Sequence, residues 1–303
     1  MADRRDDPAS GLRPVRARVR AGFDRVAAQF DEHAFIEPRI RERLLERLDL
    51  VRLAPSLVVD AGCGTGAASA SLAARYRGAN VLAVDLAPRM AARAALRNPR
   101  WRRHRIRAVC ADAAALPLPA QSVDLVVSNL MLPWHPDPDA VFAECRRVLR
   151  PGGLLTFSSL GPDTLRELRA AWTAVDGAAH VNLFTDMHDV GDALLRAGLA
   201  EPVMDVETLH VDYGALERLV ADLRLTTAGN VLAGGPRGLG SRTRRTRLEA
   251  AYPRTADGRF GATVEVVYGH AWGTGTPPQR RQRAGEVRIP VSGLARRPRP
   301  GGT

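Results

Sequence analysis

The stretch LVVDAGCGTGAAS, residues 57–69, constrains this chain more than any other. A short apolar run ends on Asp60, and glycines follow at alternate positions, Gly62, Gly64 and Gly66, before a run of small residues with helical spacing. A strand that turns into a helix through so bare a loop presents unpaired helix N–H groups and the positive end of the helix dipole. Glycines let that turn bend sharply and let a ligand approach the backbone. The loop therefore predicts a ligand site. It does not by itself choose the ligand, because Gly62, Gly64 and Ala67 also satisfy the G-x-G-x-x-G/A spacing of a dinucleotide site.

The flanking periodicity supplies the frame. Strands are expected over 56–60, 80–84, 106–110, 123–128 and 153–159, and helices over 66–76, 88–97, 138–149 and 162–174. That alternation predicts an α/β fold with a mostly parallel sheet and helices on both faces. Two helices are expected ahead of it, over 13–30 and 36–50, the second carrying Ile36, Ile40, Leu44, Leu45 and Leu48 at helical spacing. Beyond Gly161 a helix fits 186–197, a strand 202–211, helices 214–224 and 238–251, and an alternating strand 262–272. Residues 1–12 read as disordered and 274–303, rich in Pro, Gly and Arg, as a flexible basic tail, which leaves one domain over 13–273.

Composition excludes several classes. No apolar run approaches the roughly 20 residues of a membrane span, and MADRRDDPAS has no apolar core of the secretory kind. Cys63, Cys110 and Cys145 are scattered, with no CxxC pair, so neither a disulfide framework nor a metal site is expected, and a cytoplasmic location is. The net charge is +11, and from Arg237 onward 14 Arg stand against four acids. With the cluster RNPRWRRHRIR at 97–107, this surface suits an acidic partner.

Three acids narrow the ligand. Asp60 precedes the first glycine by two residues, where a carboxylate meets an ammonium or a water over the loop. Asp85 closes the next strand, VLAVD, where an acid accepts both hydroxyls of a ribose. Asp112 follows the third strand in VCADAAALPLP, placed for an adenine amino group. With VDLVVSNLMLPW along the fourth strand, these segments converge at the carboxyl ends of a parallel sheet. An amino-acid end, a ribose and an adenine describe S-adenosylmethionine better than a nicotinamide dinucleotide.

In this order DAGCGTG, AVDLAPRM, ADAAALPLP, SNLMLPW and RRVLRPGGLLTFSS resemble the successive motifs of the class I methyltransferase family, over about residues 55–160. The resemblance implies a Rossmann-like fold, a mostly parallel seven-stranded sheet with helical insertions before it and after strand five. It implies that Asp60, Ala61, Gly62, Cys63, Gly64, Thr65 and Gly66 hold the methionyl part and Asp85 the ribose. Leu86 and Met90 would flank the adenine, Asp112 and Ala113 border its edge, and Asn129 line the floor.

The flanks are more particular. VRAGFDRVAAQFDEHAFIEPRI, LGPDTLRELRAAW, HVNLFTDMHDVGDALLRAGLAEPVMDVETL and DGRFGATVEVVYGHAW resemble the malonyl-acyl carrier protein O-methyltransferase family of biotin synthesis. That resemblance implies S-adenosylmethionine as methyl donor, the free carboxylate of a malonyl thioester as acceptor, an acidic acyl carrier protein as partner, and segments 13–50 and 161–260 as the elements that receive them. Where that family's FDRAAxxYD pattern has a tyrosine, this chain has Phe30. A carboxylic acid with a reference pKa of about 4 is ionised at pH 7, so no catalytic acid, base or nucleophile is expected. A guanidinium suits the acceptor carboxylate, and Arg166 and Arg169 are the candidates. Trp134 and His135 are candidates for the pocket wall, His135 also for capping its loop. Competing readings are a methyltransferase for another small molecule and a non-methylating assembly factor or hydroxylase of the complex I-associated type. A nucleic-acid enzyme is disfavoured, because SNLM stands where base-amino methyltransferases carry (N/D)PPY and aromatics make up only 5% of the chain.

Overall fold

The first strand, β1 (Leu57–Ala61), is buried along nearly its whole length. An apolar run without alternation is what a strand covered on both faces requires. In the computed structural model, which describes residues 14–98, 105–226, 231–232 and 242–275, β1 lies inside a seven-stranded sheet. The other strands are β2 (Asn80–Asp85), β3 (Ile106–Cys110), β4 (Val123–Asn129), β5 (Leu149–Leu160), β6 (Ala200–Tyr213) and β7 (Phe260–Trp272). Their order is β3-β2-β1-β4-β5-β7-β6. The first five run parallel, and β7 enters antiparallel between β5 and β6. The order in which strands are added reverses between β1 and β4, so a crevice opens at their carboxyl ends.

Ten α-helices are described: α1 (Arg16–Val26), α2 (Phe30–His33), α3 (Ile36–Glu46), α4 (Ala67–Arg75), α5 (Pro88–Ala95), α6 (Pro138–Val148), α7 (Arg166–Val175), α8 (Met187–Ala197), α9 (Leu216–Thr226) and α10 (Arg242–Ala251). Alternate residues of β1 feed two cores. Val59 and Ala61 pack with Val126, Phe157 and Leu194, while Val58 packs with Leu72, Leu125 and Val127. Into the second core α3 sends Ile40 and Leu44, with Leu48 following in the short 3-10 turn Arg47–Leu50, all essentially inaccessible. Each such side chain contributes roughly 1.5–3 kcal/mol by its burial. A third cluster joins Leu168 and Trp172 of α7 to Leu219, Leu248 and Phe260, forming a cap beside the crevice.

Two expected boundaries differ for physical reasons. The helix read from 162 starts at Arg166, because 161–165 is a turn locked onto β7. Asp163 N–H donates to Glu265 Oε2 at 2.7 Å, Leu165 N–H to the Thr263 carbonyl at 2.7 Å, and Thr164 Oγ1 both donates to and accepts from the Glu265 backbone at 3.1 Å. The segment read as one helix over 13–30 breaks after Val26, and α2 begins at Phe30. The expected disordered start at 1–12, the residues 99–104 and 237–241 of the two basic clusters, and the tail from 276 lie outside the described residues. Among the described residues no helix is long and apolar enough to cross a membrane.

Candidate functional site

The glycine loop sits where β1 meets β2, with Gly62 and Cys63 both donating backbone N–H to the Val84 carbonyl, at 2.8 and 2.9 Å. Its three glycines all adopt positive φ, but they do different work. A Cβ on Gly62 would stand 2.4 Å from Met131, and one on Gly66 2.7 Å from Ala94, so these two let the loop close against its neighbours. A Cβ on Gly64 would meet no protein atom within 4 Å. Gly64 therefore faces open space, and that space is the crevice.

The crevice is a cavity of about 860 Å³. Its polar end gathers Asp60, Gly62, Cys63, Gly64, Thr65, Asp85, Leu86, Met90, Asp112, Ala113 and Asn129, eleven of the candidates read from the strand ends. Ala61 and Gly66 are not part of its lining. The Ala61 side chain turns into the core on the other face of β1, and Gly66 packs against α5. Phe30, Trp134 and His135 line the cavity as well. Trp134 both walls it and packs edge-on against Phe23, with ring centroids 5.4 Å apart. The far end is apolar, walled by Leu165, Leu168, Trp172, Val181, Leu219 and Leu223.

Arg166 and Arg169, the expected acceptor-binding residues, lie elsewhere. Arg166 is exposed and pairs with Asp163 and Glu167. Arg169 donates to the carbonyls of Pro162 and Thr164, both at 2.9 Å, and so braces the turn ahead of α7. Their helix presents Leu168 and Trp172 to the cavity instead.

The acids are prepared to different degrees. Asp60 is 1% exposed; Ser69 Oγ donates to its Oδ2 at 2.5 Å, while its Oδ1 is buried with no hydrogen-bond partner. Desolvation by burial, with the charge of Asp85, pushes its pKa up to about 6, against the Ser69 hydrogen bonds and the charge of Arg41. Such an orphaned acceptor calls for a donor from a ligand. Asp85 receives the N–H of Gly64 on Oδ2 and of Ala87 on Oδ1, each at 2.8 Å, leaving a lone pair free on either oxygen. Burial lifts it to about 6 also. Asp112 Oδ1 receives Ala114 N–H at 2.9 Å and lies 3.2 Å from His135 Nε2, while Oδ2 pairs with Arg16 of α1. His135 Nδ1 meets the Asp137 backbone, so this ring both caps its loop and steadies Asp112. Burial, reinforced by Asp60 and Asp85, drives the Cys63 thiol well above its usual range, which makes it no nucleophile.

Several cavity residues carried no expectation from the sequence. Glu37 and Arg41 reach it from α3, and His180 and Asn182 from the segment before α8. His180 stacks on Trp172 at 3.6 Å and is held by Asp176, which also pairs with Arg244 of α10. The usable signal was spacing on α3: Glu37 and Arg41 sit four apart, beside the buried stripe of Ile40 and Leu44.

A methyltransferase domain family matches residues 59–157, the segment that carries the glycine loop and all three acids. The malonyl-acyl-carrier protein O-methyltransferase of Laribacter hongkongensis is 50% identical over 273 residues, 88% of this chain and 92% of that protein. The chain belongs to the malonyl-acyl-carrier protein O-methyltransferase family. A protein of that name from Halorhodospira halophila is 49% identical over 284 residues, 93% of this chain and 96% of its own length. Likeness of that reach includes the cap as well as the core. Among solved structures, the YcgJ protein of Bacillus subtilis superposes with a TM-score of 0.57 at 13% identity, covering 78% of this chain and 99% of that one, and shares the fold.

Proposed function

We propose that this chain methylates the free carboxylate of malonyl-acyl carrier protein, giving the methyl ester that primes pimeloyl synthesis for biotin. The observation that carries this reading is identity of 49–50% to malonyl-acyl-carrier protein O-methyltransferases along 88–93% of the chain. The cavity chemistry fits the donor. Asp60 Oδ1, buried and without a partner, suits the ammonium of a methionyl group. Asp85 has an acceptor free on each oxygen for two ribose hydroxyls, and Leu86, Met90 and Ala113 form apolar walls for a base whose edge Asp112 borders. When bound, S-adenosylmethionine supplies an electrophilic methyl group on a sulfonium.

The protein has no proton to move, because the acceptor carboxyl is ionised at neutral pH. Its residues act by alignment and by excluding water. Alignment is worth up to roughly 7–11 kcal/mol in favourable systems. Phe30, Met131 and Trp134 add apolar surface to the cavity lining, which weakens competing solvation of the reacting oxygen. The apolar end, from Leu165 to Leu223, suits the uncharged thioester arm. The product logic is consistent: a carboxylate is costly to bury in an apolar acyl tunnel, and its methyl ester is not. The basic surface suits an acidic carrier.

The test is methyl transfer from labelled S-adenosylmethionine to malonyl-carrier protein, free malonyl thioester and butyryl-carrier protein. Ester formation on the malonyl carrier alone, together with rescue of a biotin auxotroph lacking this step, supports the reading. Turnover of neither malonyl substrate overturns it.

A further inference from the structure

Three arginines line the cavity: Arg25, Arg41 and Arg224. Arg25 and Arg224 are exposed at its rim, and Arg41 is half-buried in its wall. Arg41 makes no hydrogen bond or ion pair with any described residue, whereas His135 in the same lining is engaged with Asp112, and Arg97 behind the glycine loop with Asp31. Arg41 has an obvious intramolecular option. Glu37 stands one helical turn earlier on α3, acid before base, the spacing at which such pairs usually join. They do not join. Arg41 lines the same cavity as Asp60 and the glycine loop, and its charge bears on Asp60.

A partly desolvated guanidinium without an anion is an incomplete arrangement. Its planar fork matches a carboxylate, with two parallel N–H donors. Two ligand carboxylates are available to it: that of the methionyl end, whose ammonium suits Asp60, and that of the acceptor, which must reach the same end of the cavity. Resting on the methyl-transfer reading above, we propose that Arg41 is the carboxylate-holding residue of this cavity, the role that Arg166 and Arg169 are not placed to fill. Arg41 binds and positions; it moves no proton.

The experiment compares the wild type with Arg41→Met, Arg41→Lys and, as a control on the exposed side of the same helix, Arg39→Met. The measurements are the Kd of S-adenosylhomocysteine, the Kd of its decarboxylated analogue, and Kd, KM and kcat for malonyl-carrier protein. Thermal unfolding verifies that each variant is folded. In Arg41→Met one carboxylate-dependent quantity worsens about 10- to 100-fold, Arg41→Lys recovers part of it, and Arg39→Met stays within twofold of wild type. A rise in the Kd of S-adenosylhomocysteine, absent with the decarboxylated analogue, assigns the methionyl carboxylate. A rise in the KM or Kd of malonyl-carrier protein, with both nucleoside Kd values unchanged, assigns the acceptor carboxylate. If every quantity in folded Arg41→Met stays within twofold of wild type, the assignment is wrong. Loss of turnover in the wild type itself would instead count against the proposed reaction, and the two nucleoside Kd comparisons together with the Kd of malonyl-carrier protein would still decide Arg41.

Discussion

Asp31 accepts a 2.5 Å hydrogen bond from Thr65 Oγ1, joining helix α2 to the middle of the glycine loop. The other carboxylate oxygen of Asp31 receives Arg97 Nη2 at 2.5 Å, and Arg97 Nε donates to the Thr65 carbonyl at 3.1 Å. Three segments far apart in sequence are therefore strapped together over the ligand end of the cavity.

Asp31→Ala removes this strap. The Asp31–Arg97 pair is 37% exposed on either side, so its contribution to global stability is small, below about 1 kcal/mol. Its effect belongs to retention of the ligand. Stopped-flow measurement should show S-adenosylhomocysteine leaving about 3- to 10-fold faster, with the melting temperature within a few degrees of wild type.

Asp60→Asn keeps the shape of the site and removes the negative charge. With the amide oxygen accepting from Ser69, the NH2 takes the place of Oδ1 and offers an ammonium no acceptor. A hydrogen bond to a charged group is worth about 1.5–3 kcal/mol. Calorimetry should therefore find the affinity for S-adenosylhomocysteine reduced about 10- to 100-fold.

The same acid sets a pH dependence. Burial lifts Asp60 and Asp85 to about 6, from a reference near 3.8, in the ligand-free fold. Because the folded value is raised, the folded chain holds protons that the unfolded chain has lost between about pH 4 and 6, and the stabilising contribution of each group declines as pH rises through that window. A ligand that binds the ionised acids acts in the opposite sense, so its affinity should weaken about tenfold per pH unit below about 6 for each acid it needs. Relative to wild type, Asp60→Asn should gain stability as pH rises through about 4 to 6, by up to about 3 kcal/mol, in denaturant titrations at each pH. A pH-independent difference would remove Asp60 as the source.

Much of the frame was legible because periodicity and punctuation agreed. The apolar run LVVDA and the glycines each act locally, whereas the strand expected from 153 begins at Leu149 and runs through Pro151-Gly152-Gly153 as part of β5. GPDTL was legible as a marker but not as a mechanism. Gly161 makes room for Glu265, whose side chain would lie 2.4 Å from a Cβ there, and the rest of the turn ties α7 to β7. Those partners are about a hundred residues away, and no local pattern announces them. Arg41 was missed for a related reason. On a helix containing Arg39, Arg41 and Arg43, with Arg47 just beyond it, composition cannot separate the cavity-facing arginine from Arg43 and Arg47, which reach Glu207 and Asp205 of β6.

Two glycines of one loop should fail in different ways. Gly66→Ala places a Cβ 2.7 Å from the Ala94 backbone at a φ of +82°, so it should lower stability by roughly 2–4 kcal/mol or prevent folding. Gly64→Ala meets no protein atom and carries only the left-handed penalty of roughly 1–2 kcal/mol. Its methyl group projects into the space assigned to the ligand. Folded Gly64→Ala with little or no affinity for S-adenosylhomocysteine is the expected result, read by calorimetry beside a denaturant curve.

The surface beside the cavity should make recognition of the carrier depend on salt. Helix α10 carries Arg242, Arg244, Arg245 and Arg247, and Arg244 connects through Asp176 to His180 and Trp172 in the cavity wall. An acidic carrier docked there would deliver its thioester arm to the apolar end. Between about 0.1 M and 1 M salt the Debye length shrinks from about 10 Å to about 3 Å, so long-range attraction is lost while contacts inside the cavity persist. KM for malonyl-carrier protein should therefore climb about tenfold across that range, with KM for a free malonyl thioester and the Kd of S-adenosylhomocysteine nearly flat. Reversing charge at Arg242 and Arg247, neither of which lines the cavity, should reproduce the rise at low salt. Equal salt sensitivity for carrier-bound and free thioester would place the docking surface elsewhere.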